Sequence, residues 1–315
     1  MGHPWIVHTA WAALAMAGIG TTIAGLARLG WPFELACHFR LQYALLACAS
    51  AVLFGGAHAW PVAALALGLA LINLRALGPL TTRRAPPPSD RTYRLLMANV
   101  WRFNPSPARL ERLIRQAAPD VIVLLEMTPR WLAALRHFET DYPYSKAVIR
   151  GGGFGILCLS RLPLESAAVV RIGRVGLPSV VVRMRLDGKT VTVVAAHPLS
   201  PLKHRSLSRR NRQLEAIAHF IGQQSGPLVL VGDLNATPWS PMFRDLLRLS
   251  KLRDSRVGFG LQASWPVWVP LIRIPIDHCL VSSDLMVHRR ARGPSIGSDH
   301  FPVFLDFSLS ELHGQ

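Results

Sequence analysis

Twenty-three consecutive residues, Trp5 to Ala27, contain no Lys, Arg, Asp or Glu. A helix of that length, rising about 1.5 Å per residue, matches the roughly 30 Å hydrocarbon core of a bilayer. A second uncharged stretch of 34 residues runs from Leu41 to Leu74, and the turn-forming segment Gly55-Gly56-Ala57-His58-Ala59-Trp60-Pro61 divides it. Trp5, Trp31 and Trp60 stand near the ends of these runs, where interfacial aromatics gather. The pattern predicts a 1–80 anchor of three transmembrane helices, at about 5–27, 41–57 and 60–77. No Lys or Arg precedes the first run, which argues against a cleaved signal peptide.

Charge is distributed unevenly. The first 84 residues hold five of the 35 basic residues (Arg28, Arg40, Arg75, Arg83, Arg84) and one of the 18 acids (Glu34). Loop charge and the positive-inside rule predict an N-terminus outside and a body in the cytoplasm, that is, a multi-pass protein of the cell inner membrane. Beyond His8, His58 in the dividing turn and Arg75 near the end of the last run, the spans hold no His, Lys, Arg, Asp or Glu, which speaks against a transporter. Residues 81–91 (TTRRAPPPSDR) read as a Pro-rich linker, because three successive prolines cannot continue a helix. The strongly basic remainder, 92–315, suits a polyanionic partner: nucleic acid, an anionic lipid surface or a phosphorylated substrate. Its densest basic run is Lys203–Arg212. The four cysteines lie in apolar runs at no metal-binding spacing and read as buried thiols.

The body alternates strand and helix signals. Tyr93–Val100 and Val121–Leu125 read as buried strands. Pro107–Ala117 carries Leu110, Leu113, Ile114 and Ala117 at helical spacing. Val180–Leu186 and Val191–Ala196 flank Asp187-Gly188, a hairpin signal. Arg209–Gln223 presents one apolar helical face, and Leu228–Val231, Ile276–Val281 and Val303–Phe307 read as further strands. Many strands with helices at intervals predict two packed sheets with helices outside.

Nearly every buried strand ends in a polar residue. Asn99 closes LLMAN, Glu126 follows VIVLL, His197 follows VTVVAA, and Asp233 and Asn235 stand in VGDLNATP. Asp277 interrupts IPIDHCLVS, and Asp299 and His300 occur in GSDHFPV. A carboxylate directly after five aliphatics is costly to bury unless it is paired or bound to metal. A set drawn only from Asn, Asp, Glu and His, rich in oxygen, suits Mg²⁺, Mn²⁺ or Ca²⁺. His278 reads as structural, and His204 and His219 as surface positions. Gly151–Gly155 lacks the Lys-Ser/Thr of a phosphate-binding P-loop and reads as a flexible turn.

In order, the segments N, LLE, GFGILCLSR, HP, GDLNATP, IDHCLVS and SDHFPV resemble the endonuclease/exonuclease/phosphatase superfamily, over about Tyr93 to Leu309. A leader of membrane spans before such a domain is similar to bacterial membrane-anchored members. The resemblance implies an α+β fold, a four-layer α/β/β/α sandwich, and hydrolysis of a phosphoester with Mg²⁺ or Mn²⁺ as cofactor. It implies Glu126 as main metal ligand, with Asn99 and Asp299 completing the metal site. Asp233 would orient or deprotonate the attacking water, and Asn235 would hold a phosphoryl oxygen. His197 would donate to the transition-state oxyanion. His300, oriented by Asp277, would contact the phosphate. Val100-Trp101-Arg102-Phe103 stands where abasic-site endonucleases carry Asn-Gly, which lowers the expectation of abasic-site cutting. The expected substrate is nucleic acid or a phospholipid headgroup. The apolar loop around Trp265, Trp268 and Leu271 suits a lipid surface or core packing equally, and the Lys203–Arg212 run suits nucleic-acid phosphates or an anionic leaflet. The alternative is a membrane-tethered binding or scaffold module that keeps the fold without catalysis.

Overall fold

The computed structural model describes residues 4–78 and 91–310. The Pro-rich linker lies, apart from Arg91, outside the described residues. The body contains two six-stranded mixed sheets. The first has β1 (Tyr93–Asn99), β2 (Val121–Leu125), β3 (Tyr144–Val148), β4 (Ile156–Ser160), β11 (Leu285–Arg292) and β12 (Val303–Leu309), in the order β11-β12-β1-β2-β4-β3. The second has β5 (Leu164–Arg171), β6 (Pro178–Leu186), β7 (Lys189–Ala196), β8 (Leu228–Asp233), β9 (Arg253–Asp254) and β10 (Asp277–Val281), in the order β5-β6-β7-β8-β10-β9.

Side-chain alternation divides the apolar residues of each strand between two cores. Leu95, Met97, Val121, Val123, Val193, Val229, Val231 and Leu305 face the space between the sheets. Leu96, Ala98, Ile122 and Leu124 face outward onto α5 (Ala108–Ala117) and α6 (Pro129–Leu135). On the other side Val194, Leu228, Leu230 and Leu280 pack on α7 (His204–Gly222) and α8 (Pro241–Ser250). The result is the expected α+β sandwich, with a helix layer outside each sheet. The expected hairpin joins β6 and β7, with positive φ at both Asp187 (45°) and Gly188 (81°). That is the twist a two-residue turn needs between right-twisted strands.

Before the body come α1 (Pro4–Gly25), a five-residue α2 (Phe33–Cys37), α3 (Arg40–Gly56) and α4 (Trp60–Leu77). Two of the three expected spans, Trp5–Gly25 and Trp60–Leu77, are long and apolar enough to cross a membrane. The third is corrected: α3 has 17 residues and begins on Arg40, so it falls short by about one turn. Small residues are prominent in the interior of this helical unit, with Ala17, Ala47 and Ala70 meeting between the helices beside the buried Leu14 and Phe54. Asn73 donates to Thr21 Oγ1 (2.7 Å), and Ser50 Oγ donates to the Ala10 carbonyl (3.1 Å). Many large side chains point outward: Trp11, Met16, Ile19, Val52, Leu65 and Leu71 are all exposed.

Candidate active site

Strand direction brings the polar strand ends together. β1 and β2 run parallel and adjacent, so Asn99 and the residue after Leu125 emerge at one end of their sheet. β12 runs antiparallel to β1, so Asp299 and His300, which precede it, return to that end. In the second sheet β7 and β8 are parallel, which places His197 beside Asp233. Antiparallel β10 sets Asp277 directly opposite Asp233. Residues spread over two hundred positions thereby share one edge of the sandwich, as loops at strand ends can.

The focus of the cluster is Asp233 Oδ2. Asn99 Nδ2 approaches it at 3.3 Å, His197 Nε2 at 3.4 Å and His300 Nε2 at 3.7 Å. Asp233 Oδ1 accepts from the Asn235 backbone N–H at 3.0 Å. The same Asn99 amide donates to Glu126 Oε1 at 3.2 Å, so Glu126 and Asp233 lie within reach of one side chain. Glu126 Oε2 accepts from the Arg102 backbone N–H (3.0 Å). Asn99 uses its own oxygen to accept from the Trp101 N–H (3.0 Å), so it steadies the two carboxylates and turns no oxygen toward them. Glu126 and Asn235 hold left-handed backbones, with φ of 61° and 51°. Strain of this kind persists where surrounding structure fixes it, often at functional sites. Gly153 (φ 86°) packs over the Glu126 carboxylate, where an added Cβ would sit 3.4 Å from it.

His300 Nδ1 donates to Asp277 Oδ2 at 2.8 Å, which leaves Nε2 turned toward Asp233 and, at 4.0 Å, Asp299. Burial pulls the His300 pKa down, but Asp277 and Asp233 more than offset it and push it up to about 10. His197 is likewise raised: its burial is outweighed by Asp233 and Glu126. Asp233 is held below the ordinary carboxylate range, with burial overcome by His300, His197 and the Asn235 N–H. Asp299 is pushed above that range, first by burial and then by the negative charge of Glu126 and Asp233. The centre thus sets two histidine rings, both raised, among four acidic side chains.

Buried carboxylates of this kind fit a divalent cation. Asp233, Asp277 and His300 offer ligand atoms within 4.8 Å of one another. Within that trio His300 bonds Asp277 and turns its other ring nitrogen toward Asp233 at 3.7 Å, so the ring lies between two acids. Glu126 and Asp299 add two further acidic side chains to the same cleft, and burial is the chief reason the Asp299 pKa is raised.

Every residue expected from the sequence reaches this edge. Sequence reasoning missed Ser298, whose hydroxyl donates to the Asn99 carbonyl (2.7 Å) and accepts from the His300 N–H (3.1 Å). Its place directly before Asp-His was the available signal. The role of Trp265 was also missed: its indole N–H donates to Asp299 Oδ2 (3.2 Å). His278 is buried and bonded to the Ala236 carbonyl, a structural position as expected. The Lys203–Arg212 run is not a uniform basic face. It opens α7, and Arg210 within it is fully buried against Glu34.

The family model described as Endonuclease/Exonuclease/phosphatase family matches residues 98–300, which contain all of these side chains. The chain belongs to the endonuclease/exonuclease/phosphatase family. A curated relative, a UPF0294 protein of Vibrio parahaemolyticus, is 23% identical over 235 residues, covering 69% of this chain and 78% of its own. Among solved structures, D. rerio TDP2 complexed with single-strand DNA product superposes with a TM-score of 0.60 at 16% identity, covering 70% of this chain and all of that one. An endonuclease/exonuclease/phosphatase from Beutenbergia cavernae gives 0.55 at 20% identity, covering 70% and 72%. The human Nocturnin catalytic domain with bound sulfate gives 0.56 at 15%, covering 70% and 95%. At these identities the structural likeness establishes the family sandwich. Members of this family are generally phosphoester hydrolases, many of them dependent on a divalent metal.

Proposed function

We propose that this protein is a membrane-anchored, divalent-metal-dependent phosphoesterase. The observation that carries the reading is the convergence of Asn99, His197 and His300 on one Asp233 oxygen, beside Glu126. Glu126 and Asp299 would hold Mg²⁺ or Mn²⁺, which supplies positive charge to a phosphoryl oxygen and to the attacking water. Asp233 orients a water molecule and takes its proton. Its depressed pKa keeps it ionised for that task. His197 and His300 donate hydrogen bonds to the non-bridging oxygens, where charge gathers during phosphoryl transfer. Asp277 orients the His300 ring and favours its charged form. Asn235, tethered by its side-chain amide to the Pro198 carbonyl (3.1 Å), borders the space for a phosphoryl oxygen.

The anchoring rests on the helical unit. Small residues and hydrogen bonds inside, with large apolar side chains outside, is the arrangement that packs helices in lipid. Two of the helices have spanning length. Arg28, Arg40 and Arg75 lie at the ends of α1, α3 and α4 that meet the body, which favours a cytoplasmic body.

The test is hydrolysis of bis-p-nitrophenyl phosphate by the full chain in detergent with Mg²⁺ or Mn²⁺. Glu126→Ala and His300→Ala should each lower kcat by about 10²-fold or more, and chelation should abolish activity. Equal rates for wild type and both variants would refute the assignment.

A further inference from the structure

The family match begins at residue 98, yet the cleft above the carboxylates is completed by Leu35, His38 and Phe39. These belong to the turn between α1 and α3. That turn is bolted to the loop that follows Asp233. The buried Glu34 carboxylate pairs with Arg210 Nη2, and Asn211 donates to Glu34 Oε2 at 3.0 Å. Arg210 Nη1 donates to the Asn235 carbonyl at 3.1 Å. His38 Nδ1 meets Thr237 Oγ1 at 2.9 Å, and the Trp239 indole N–H donates to the His38 carbonyl at 3.2 Å. Asn235, Thr237 and Trp239 are all on the loop that leaves the catalytic strand β8. The leader is therefore part of the active-site wall as well as an anchor.

The cleft, of about 380 Å³, has two characters. Glu126, Asp233, Asp299 and the two histidines give it a polar set, and Phe154, whose ring is 5.7 Å from that of His197, joins Leu35, Phe39, Leu202, Ile274 and Ile276 in an apolar one. Beyond it an apolar rim faces outward: Trp268 is 58% exposed and Leu271 85%. Gln42, in the first turn of α3, donates to the Leu271 and Arg273 carbonyls at 3.2 and 3.3 Å, so this rim abuts the helical unit. Leu29 and Trp31, on the turn after α1, are exposed on the leader's side. Exposed large apolar side chains thus stand on the rim and on the leader beside it, as suits a ligand held in lipid.

We infer that the turn bearing Leu35, His38 and Phe39 is a specificity-determining wall that selects an acyl-bearing phosphoester, a phosphoglyceride entering from the bilayer. Its headgroup phosphate reaches the carboxylate end, and its acyl chains leave along Leu202 and the 268–272 rim. This rests on the phosphoesterase reading above. In the step, a water oxygen forms the new bond to phosphorus and the ester P–O bond breaks. The proton taken from the water ends on the departing alcohol oxygen, so no co-reactant beyond water is consumed.

The experiment compares kcat/KM of the full chain in nanodiscs or mixed micelles. The paired substrates are dioleoylphosphatidylglycerol against glycerophosphoglycerol, and dioleoylphosphatidic acid against glycerol 3-phosphate. Plasmid duplex and bis-p-nitrophenyl phosphate complete the panel. The acylated member of at least one pair should be favoured by about tenfold or more, since a few buried methylenes suffice for that. Phe39→Asp and Leu271→Asp should each shrink that ratio toward one. Leu271 projects into solvent, so its substitution does not threaten folding. Equal or faster turnover of the deacylated substrates or plasmid would overturn the inference, as would a ratio untouched by both variants. If bis-p-nitrophenyl phosphate is cleaved without acyl preference, the inference alone falls. If nothing in the panel is cleaved, the phosphoesterase reading falls and takes the inference with it.

Discussion

At the scale of single residues, the site is governed by who holds whose proton. Asp277 is fully buried and has one oxygen on His300 Nδ1. Its charge is the first of the influences that raise His300 against the cost of burial. Asp277→Asn keeps the shape but removes that charge. We expect kcat on bis-p-nitrophenyl phosphate to fall about 10²-fold with a smaller change in KM, because a donor to the transition state is weakened more than ground-state binding. A loss confined to KM would contradict this role. The identity of the polar cluster was legible because a carboxylate or imidazole at the end of an aliphatic strand has so few inexpensive explanations. The orientation of Asn99 was not legible. Which way an amide faces depends on its partners, here Glu126, Asp233 and the Trp101 N–H, which no local pattern reveals. Trp265 was hidden for the same reason, since its partner Asp299 is 34 residues away.

At the scale of elements, β2 was readable from its unbroken aliphatic run with the same bounds, and the β6–β7 hairpin and β12 from apolar runs and turn chemistry, with ends displaced by a residue or two. The short α2 was not. Five residues carry no helical period, and α2 is held by distant partners: Glu34 by Arg210, and the His38 that follows it by Thr237 and Trp239. Removing one partner of a buried ion pair strands the other. Glu34→Ala should therefore destabilise the chain by about 3–5 kcal/mol in chemical denaturation, far more than loss of the exposed Arg28–Asp245 pair. Similar losses for the two would contradict the buried latch. His38 gives α2 a pH signature. Burial, with the Arg210 charge adding to it, pulls its pKa down to about 3, from the ordinary 6.5. Between those values the unfolded chain binds a proton that the folded chain refuses, so stability is lost as pH falls from about 6.5 toward 3. Above 6.5 this contribution is complete and flat. His278, lowered to about 4 by burial, acts in the same direction. The slope should be about 1 kcal/mol per pH unit for each ring. Thermal melts at pH 5 and pH 7.5 should differ less for His38→Asn than for wild type, and identical differences would count against the assignment.

At the scale of the whole molecule, the sequence announced an apolar leader and a basic body but gave no sign that they share a pocket. The contacts that join them span 168 to 231 residues, from Arg244 on the Ala76 carbonyl to Gln42 on Arg273. The leader also departs from three full spans: α3 has 17 residues, about a turn short, and begins on Arg40, which bonds Asn73. The three arginines at the body-facing helix ends predict an orientation. A C-terminal phosphatase reporter should be silent and a fluorescent reporter bright if the body is cytoplasmic, and the opposite pair of signals would reverse it.

The seat of His38 against Thr237 and Trp239 has a consequence for how the molecule can be divided. The two sides of the cleft lie roughly two hundred residues apart in the chain and meet only when both have folded. A fragment that starts at the body would keep the strand-end cluster and lose one wall of its pocket.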